Sequence, residues 1–344
     1  MFIRVVIFSL IIITLIALAY FVCWLVGWGI MHLFHTRHNY GNWVGGAVVA
    51  FAIYIIIYGC TIGFNKLEVR HVTFAFDDLP TEFDGYKIVH FSDAHLGTYG
   101  MDRQYLLMRN IDSINAQHPD LIVFTGDIQN LEPSEIRPHV NLLKKLRAKD
   151  GVYSCLGNHD YPIYVRDASP RQKESNLRET IALEQQAGWT VLLNNNRRIV
   201  RRVFDTLSDD STHAAASIVI AGMENDGDGQ RFPMMGNLRK TLQGVSPNDF
   251  VILLQHDPTH WRDKILRQSN AQLTLCGHTH AAQLMLFGWS PVKYFYDVWA
   301  GVAAHDGRFI NVSTGMGGFI PFRFGVPGEI CVITLRKAKI KEDI

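Results

Sequence analysis

The sequence predicts an α/β sandwich domain that follows a pair of membrane-spanning helices. Two observations support this architecture. The N-terminal end of the 344-residue chain carries two long apolar runs without charged residues. The remainder first alternates short strand-like runs with amphipathic helical stretches, and then continues with closely spaced strands. That order is typical of an α/β sandwich and argues against a doubly wound single sheet.

The two apolar runs predict a helical hairpin. Residues 5–30 exceed the about 20 residues that cross a bilayer core, whereas the apolar part of a signal peptide has only about 7–15. Residues 43–64 form the second run, after a short polar loop. We therefore expect an anchor over residues 1–66 with spans at about 5–30 and 43–64. The alternative is that the second run is a buried core helix.

The charges that flank these spans favour a cytoplasmic location for the large domain, residues 67–344. Arg4 precedes the first span, Lys66 and Arg70 follow the second, and Arg37 alone lies in the loop. Positively charged flanks tend to stay in the cytoplasm. Both ends of the hairpin and the domain that follows it are therefore expected on the cytoplasmic side.

Composition excludes two classes of function. A formal net charge of +1 argues against nucleic acid as a specific partner, since such partners require a basic surface. The five cysteines form neither a CxxC pair nor a spaced framework, so they predict neither a zinc finger nor a disulfide scaffold. We interpret the cysteines as small apolar core residues.

Strand-like runs and helical periodicities follow one another along the large domain. The strands are predicted at residues 86–91, 121–124, 152–155, 191–193, 218–221, 250–254, 273–276, 309–312 and 330–335. Amphipathic helices are predicted over residues 103–116, 135–146 and 174–187. Residues 206–212 are dense in Asp and Ser and predict a surface hairpin loop.

Five short polar motifs stand at the ends of these strands. They are Asp93-Ala94-His95, Gly126-Asp127, Gly157-Asn158-His159-Asp160, His256-Asp257 and Gly277-His278-Thr279-His280. Strands of an α/β sheet deliver residues to one edge, where ligands bind, so distant motifs can converge there. If these segments are extended, the two outer residues of Asp93-Ala94-His95 point the same way, as do His278 and His280.

The side chains in these motifs are typical ligands of a dinuclear metal site. They supply carboxylates, imidazoles and one amide but no thiolate, which suits Mn, Fe or Zn ions rather than a structural zinc site. Two such cations about 3.5–4 Å apart can polarise a phosphoryl oxygen and activate water. The pattern therefore predicts a hydrolase that acts on phosphoric esters or anhydrides.

The five motifs, in this order, resemble those of the calcineurin-like metallophosphoesterase superfamily, D-x-H, GD, GNH(D/E), H and GH-x-H. The resemblance implies a four-layer αββα sandwich with two divalent or mixed-valence ions at one rim. Asp93, His95 and His280 would then bind one ion and Asn158, His256 and His278 the other, with Asp127 bridging both. It also implies that His159 faces the substrate as a general acid or a stabiliser of phosphoryl charge, and that Asp160 orients His159.

Within the superfamily the chain is similar to a bacterial membrane-anchored branch whose fifth motif reads GHTHGGQ. Here Ala281 and Ala282 replace the two glycines. The later Ser313-Thr314-Gly315-Met316-Gly317 and Pro321-Phe322-Arg323 are also similar to that branch, and Arg323 is expected to contact phosphate. The resemblance implies an inner-membrane location and a phosphorylated small-molecule or lipid-linked substrate such as UDP-diacylglucosamine.

Several alternatives stay open on the sequence alone. The substrate can instead be a soluble nucleotide or a general phosphodiester. A non-catalytic metal-binding scaffold is a competing function, although such a protein is expected to lose Asp127 or His159, and both are present. Residues 284–299 are rich in aromatic side chains. This stretch is expected either to cover the sandwich core or to face the membrane surface, because Trp and Tyr favour the headgroup region.

Overall fold

The computed structural model describes residues 2–165, 167–202, 215–228 and 232–338. It divides into two compact units, Met1–Gly63 and Phe64–Ile344. The predicted loop at residues 206–212 lies outside the described residues. The two units are described separately below.

The N-terminal unit is a hairpin of two apolar helices. Helix α1 spans Phe2–Leu33, and helix α2 spans Gly41–Tyr58 and is extended by a π-helical turn over Gly59–Gly63. Both helices are long and apolar enough to cross a membrane. Few of their described residues are buried, which contradicts the alternative of a buried core helix. The loop is fixed in part by Asn39 Nδ2, which donates to the carbonyl oxygen of Trp24 at 3.0 Å.

The second unit contains two six-stranded sheets. The first has the order β1-β12-β2-β3-β4-β5 and the second β10-β11-β9-β8-β7-β6. The strands are β1 Leu67–Phe76, β2 Lys87–Phe91, β3 Leu121–Phe124, β4 Val152–Ser154, β5 Thr190–Val191, β6 Asn195–Arg202, β7 Ala215–Gly222, β8 Phe250–Leu254, β9 Leu273–Cys276, β10 Gly301–His305, β11 Arg308–Val312 and β12 Gly328–Lys337.

Helices cover the outer faces of both sheets. They are α3 Leu96–Tyr99, α4 Gln104–Asn115, α5 Val140–Leu143, α6 Pro170–Gln186, α7 Leu238–Thr241 and α8 Leu266–Gln268. One buried cluster lies between the sheets, with Ile88 of the first sheet and Ile252 of the second among its members. A second cluster joins the first sheet to α4 and α6, and a third joins the second sheet to α7 and Trp261. The four-layer αββα sandwich is therefore confirmed.

Most predicted elements are present, but one predicted helix is broken, and three strands and the short helices α3, α7 and α8 were not predicted. The helix predicted over residues 135–146 is broken into short turns and α5, because Pro138 cannot continue an α-helix. Strands β1, β6 and β10 were not predicted. Each of the three is an edge strand of its sheet, where a continuous apolar run is not needed.

The strand directions bring the polar motifs to one end of the sandwich. Strands β2, β3 and β4 are parallel, and so are β8 and β9 of the other sheet. The predicted motifs directly follow the carboxyl ends of these five strands. We call this the metal-bearing end of the domain.

Candidate metal centre

The first ligand cluster consists of Asp93, His95 and His280. Asp93 and His280 are 187 positions apart in the sequence. His280 Nε2 lies 3.2 Å from Asp93 Oδ1 and 3.1 Å from His95 Nε2. Asp93 and His95 are fully buried, whereas His280 is partly exposed. Two imidazole nitrogens and a carboxylate oxygen thus converge on one point.

The second cluster consists of Asn158, His256 and His278. Asn158 Oδ1 lies 2.8 Å from His278 Nδ1 and 3.1 Å from His256 Nε2, and these two nitrogens are 3.3 Å apart. Asn158 Nδ2 donates to the hydroxyl of Tyr164 at 2.7 Å. This contact fixes the amide so that its oxygen, a metal ligand atom, faces the two histidines.

Asp127 lies between the two clusters. Its Oδ2 is 3.2 Å from His256 Nε2 of the second cluster and 3.7 Å from His95 Nε2 of the first. Its Oδ1 accepts the backbone N–H of His159 at 2.8 Å, which fixes the carboxylate plane. One carboxylate oxygen is therefore shared by both ligand groups, as a bridging ligand requires.

The ligand loops adopt an unusual backbone conformation. Asp93, His95, Asp127, His278 and His280 all have positive φ, between 46° and 74°. Left-handed conformations cost non-glycine residues about 1–2 kcal/mol each and are concentrated at functional sites. The expectation that these motifs are extended, with alternate residues on one side, was wrong. Their side chains converge because the chain turns sharply at each ligand.

Neighbouring groups orient the imidazoles. His256 Nδ1 donates to the carbonyl oxygen of Thr125 at 2.6 Å, which leaves the lone pair of Nε2 facing the clusters. His278 Nε2 lies 2.8 Å from the hydroxyl of Tyr296 and 3.4 Å from Asp257 Oδ2. No sequence pattern pointed to Thr125 or Tyr296 as a support of the imidazoles, whereas Asp257 directly follows a predicted ligand.

Charge balance in the buried site favours ionised carboxylates. Burial alone would raise the pKa of Asp93 and Asp127, but the adjacent imidazoles outweigh it and hold both pKa values below the usual range. Burial lowers the pKa of His95 and of His278. Burial opposes protonation of His256 as well, but Asp127 raises its pKa to about 10. The carboxylates of Asp93 and Asp127 are thus anionic and the imidazoles of His95 and His278 are neutral, whereas His256 holds a proton beside Asp127 that a bound cation would displace.

This donor set fits two metal ions. His95 Nε2 and His280 Nε2 face each other at 3.1 Å, an arrangement that suits two lone pairs directed at a shared cation. The second cluster offers an amide oxygen and two imidazole nitrogens, and Asp127 faces both. Oxygen and nitrogen donors of this kind bind Mn, Fe or Zn.

His159 lies at the edge of the first cluster, with its ring 4.9 Å from that of His95. Tyr164 stacks on the His159 ring at 4.4 Å, and the ring of Phe319 lies 5.1 Å away. The Nδ1 atom of His159 is 2.6 Å from the carbonyl oxygen of Asn130. His159 is partly exposed, so a ligand that reaches the metal ligands also meets this imidazole.

The proposed role of Asp160 needs a correction. Its carboxylate accepts backbone N–H groups of Gly157, Asp127 and Ile128 at 2.8–2.9 Å, so it binds the loops that carry the ligands. The ring of His159 is oriented by Asn130 instead. Burial and the charge of Asp127 raise the pKa of Asp160 to about 7.

The expectation that Arg323 contacts phosphate was wrong. Arg323 is only 1% exposed, and its guanidinium donates to the carbonyl oxygens of several residues. These are Thr314, Gly315, Gly317, Val326 and Pro327. Gly317 N in turn donates to the carbonyl oxygen of Asp93 at 2.9 Å. Arg323 therefore braces the loop behind a metal ligand.

Comparison with known proteins agrees with this site. Residues 86–282 match the family described as calcineurin-like phosphoesterase. The chain is 32% identical over 283 residues to the uncharacterized metallophosphoesterase YkuE of Bacillus subtilis, a match that covers 79% of this chain and 86% of that protein.

Two further relatives carry more specific names. A transmembrane protein with metallophosphoesterase domain from Danio rerio is 27% identical over 290 residues, which is 83% of this chain but only 61% of that protein. The UDP-2,3-diacylglucosamine pyrophosphatase LpxG of Chlamydia muridarum is 24% identical over 322 residues, 83% of this chain and 94% of that protein. The chain therefore belongs to the calcineurin-like metallophosphoesterases, a family of metal-dependent phosphohydrolases.

Proposed function

We propose that this protein is a membrane-anchored phosphohydrolase with two metal ions that cleaves a phosphoester or pyrophosphate bond of a lipid-linked substrate. The observation that carries this proposal is the position of Asp127, whose Oδ2 faces both ligand clusters. The two apolar helices support the anchor. The Chlamydia relative is named for a pyrophosphatase of UDP-2,3-diacylglucosamine, which supports a nucleotide-linked lipid as the substrate class.

Each cluster has a defined part in this proposal. Asp93, His95 and His280 would hold one ion, and Asn158, His256 and His278 the other, with Asp127 shared by both. When bound, a pair of divalent cations supplies Lewis-acid polarisation of the phosphoryl group and a source of activated water. The ligand atoms suit Mn, Fe or Zn, and the buried carboxylates remain ionised to receive them.

His159 would act as the proton donor to the leaving group. A carbonyl oxygen can only accept, so the contact with Asn130 requires a proton on Nδ1 of His159. In the neutral ring Nε2 is then the basic nitrogen, so the imidazole would act as a general acid once Nε2 has taken up a second proton, which passes to the leaving oxygen. Tyr164 packs against the ring and restricts its rotation, which keeps that proton in place as general acid catalysis requires.

A comparison of substrates and metal content tests the proposal. The full-length protein should hydrolyse UDP-diacylglucosamine faster than a soluble dinucleotide or bis-(p-nitrophenyl) phosphate, and it should contain two metal ions per chain. Asp127→Asn should lower the metal content to one ion or none and abolish turnover. Asp306→Asn is a matched control, since Asp306 is exposed in the turn between β10 and β11. Two retained metals and near-normal turnover in Asp127→Asn would contradict the dinuclear mechanism.

The cytoplasmic location of the catalytic domain has its own test. The charges at Lys66 and Arg70, which follow the second span, support this orientation. A reporter fused after Ile344 should be active in the cytoplasm of a bacterial host. An external signal from the same fusion would reverse the orientation, while the hydrolytic activity could still stand.

A further inference from the structure

The long connection between β9 and β10 starts and finishes at the metal-bearing end. Strand β9 ends there, just before His278. Strand β11 is parallel to β9, and Gly301, the first residue of β10, pairs with Val312, the last residue of β11. Both ends of the 277–300 connection are therefore at the metal-bearing end. By the same register, the turn at Asp306 between β10 and β11 lies at the opposite end.

Aromatic side chains on this connection are exposed instead of covering the core. Phe287 is fully exposed, Tyr294 and Phe295 are 71% and 68% exposed, and Trp289 is 39% exposed. A stretch that only covered the sandwich would bury these rings. The sequence alone also allowed this stretch to cover the sandwich core. The exposure of these four side chains contradicts that alternative for them.

A second exposed apolar segment joins the first. Phe319 and Ile320 are exposed, and the Nε2 of Gln283 donates to the carbonyl oxygen of Ile320 at 3.0 Å. Met285 N donates to the carbonyl oxygen of Phe324 at 2.8 Å. These contacts hold the two segments side by side, and we call their exposed apolar side chains the apolar rim. It consists of Phe287, Trp289, Tyr294, Phe295, Phe319 and Ile320.

The apolar rim adjoins the catalytic groups and has the composition of an interfacial surface. Phe319 contacts the ring of His159, and Lys293 lies over the ring of Tyr294 at 5.5 Å. Contiguous exposed apolar surface is uncommon on a soluble domain and marks an interaction site. Trp, Tyr and Lys together are typical of the lipid headgroup region.

The chain also enters the catalytic domain at this end. Strand β12 is antiparallel to β2, so its first residue, Gly328, lies at the metal-bearing end. Leu67, the first residue of β1, pairs with Gly328 in a parallel register. Only residues 64–66 separate Leu67 from Gly63, the last residue of the second apolar span. The four Cα–Cα steps from Gly63 to Leu67 reach at most about 13–14 Å, so a bilayer crossed by that span is close to this end.

Cationic side chains surround the start of the domain. The guanidinium of Arg103 lies 5.6 Å from the centre of the Phe64 ring, and Arg109 Nη1 donates to the carbonyl oxygen of Asn65 at 2.6 Å. Lys66 follows directly in the chain. Positive charge next to a membrane span attracts anionic lipid headgroups. Apolar and cationic surface are thus present at the same end of the domain.

We propose that the metal-bearing end docks into the interface of the lipid bilayer through the apolar rim. This inference rests on the proposed membrane anchor and deepens it by giving the catalytic domain a fixed orientation. The rim enters the headgroup and upper acyl region, about 5–10 Å deep, as interfacial aromatic surfaces do. The metal centre then opens towards the headgroups. A lipid-linked phosphate can therefore be hydrolysed while its acyl chains remain in the bilayer.

Spin labels on the full-length protein in lipid nanodiscs test this orientation. Cys23 and Cys60 are first replaced by Ser, and the other three cysteines are buried. Single nitroxides are then placed by Phe287→Cys, Phe295→Cys and Asp306→Cys. At each position the accessibility of the nitroxide to oxygen is divided by its accessibility to a water-soluble nickel complex. This ratio should be several-fold higher at positions 287 and 295 than at position 306. Bound metal should be the same in all three proteins, which verifies that the fold is intact.

Each other outcome has a separate meaning. Labels at positions 287 and 295 that are as water-accessible as the one at 306 would overturn the docking surface. Dipolar broadening at 295 without lipid contact would also overturn it, in favour of a second copy of the chain on the rim. A protein that does not float with lipid vesicles contradicts the anchor itself. Lipid-embedded labels on a protein that does not hydrolyse UDP-diacylglucosamine would uphold the docking and contradict only the proposed substrate.

Discussion

The carbonyl oxygen of Asn130 accepts a hydrogen bond from Nδ1 of His159 at 2.6 Å. This contact fixes the tautomer of the imidazole, because the carbonyl cannot donate. Asn130 is held in turn by its Nδ2, which donates to Thr98 Oγ1 at 2.9 Å. Nε2 of His159 is therefore positioned by a loop rather than by the neighbouring Asp160.

His159→Ala should slow turnover by roughly 10²–10⁴ while both metals stay bound, because general acid catalysis is lost but the ligands are unchanged. The loss should be smaller for a nitrophenyl ester, whose leaving group needs no proton. Rates with two leaving groups and metal analysis measure this. His71→Ala, which alters an exposed histidine on β1, is the matched control. Equal losses on both leaving groups would instead assign His159 to stabilisation of phosphoryl charge.

The fold was predictable where burial is continuous along the chain. Strands β3, β8 and β9 were predicted with their observed bounds, because both faces of these strands are buried and the runs are entirely apolar except for Thr274. Strand β6, Asn195–Arg202, contains four arginines and two asparagines. It was not predicted because this polar composition is not typical of a strand. It is an edge strand, and side-chain pattern alone does not show that its backbone pairs with β7.

The convergence of the proposed ligands was predictable from the sequence, but the groups that support them were not. The ligand residues occupy short motifs after apolar strands, where residue type alone carries the chemistry. Asn130, Tyr164 and Tyr296 act through contacts made across loops, and no local pattern announces such contacts. Arg323 was misassigned for the opposite reason. An arginine near a predicted phosphate site suggests anion binding. The sequence does not show that the guanidinium donates its hydrogen bonds to backbone carbonyl oxygens instead.

Arg323→Lys should destabilise the domain by about 2–3 kcal/mol, because lysine cannot reach the same carbonyl oxygens and leaves buried acceptors unpaired. The KM of the folded enzyme should stay near the wild-type value, since the guanidinium is 1% exposed. Denaturant unfolding and steady-state kinetics measure the two quantities. Arg336→Lys changes an exposed arginine and should alter neither. A raised KM with unchanged stability would restore the phosphate-binding role.

Ala282→Gly should stabilise the protein by about 0.5–1 kcal/mol. Ala282 has φ 54° and ψ 18°, a left-handed conformation that costs alanine about 1–2 kcal/mol. Glycine removes this cost but loses about 0.5–1 kcal/mol through its greater freedom in the unfolded chain. Ala182→Gly, in the exposed part of α6, should instead destabilise by about 1 kcal/mol. Denaturant unfolding of both variants and the wild type measures these free energies. A less stable Ala282→Gly would contradict the claim that the backbone is strained at Ala282.

Glu184→Gln should remove a pH-dependent loss of stability. Burial, together with the charge of Asp160, raises the pKa of the Glu184 carboxyl well above its usual value, although a hydrogen bond from Ser154 opposes the shift. Above about pH 4.3, the usual glutamate pKa, the unfolded chain releases this proton while the folded chain retains it. Wild-type stability should therefore fall by about 1.4 kcal/mol per pH unit from this group as pH rises towards the folded-state pKa.

Glutamine does not titrate, so the advantage of Glu184→Gln over the wild type should grow with pH and be smallest near pH 5. Denaturant unfolding of both proteins in detergent at pH 5.5, 6.5 and 7.5 measures that difference. Glu174→Gln is the matched control on the same helix, because Glu174 is exposed and paired with Arg178. Its stability curve should run parallel to that of the wild type. A constant difference between Glu184→Gln and the wild type across this range would show that Glu184 is ionised in the folded protein.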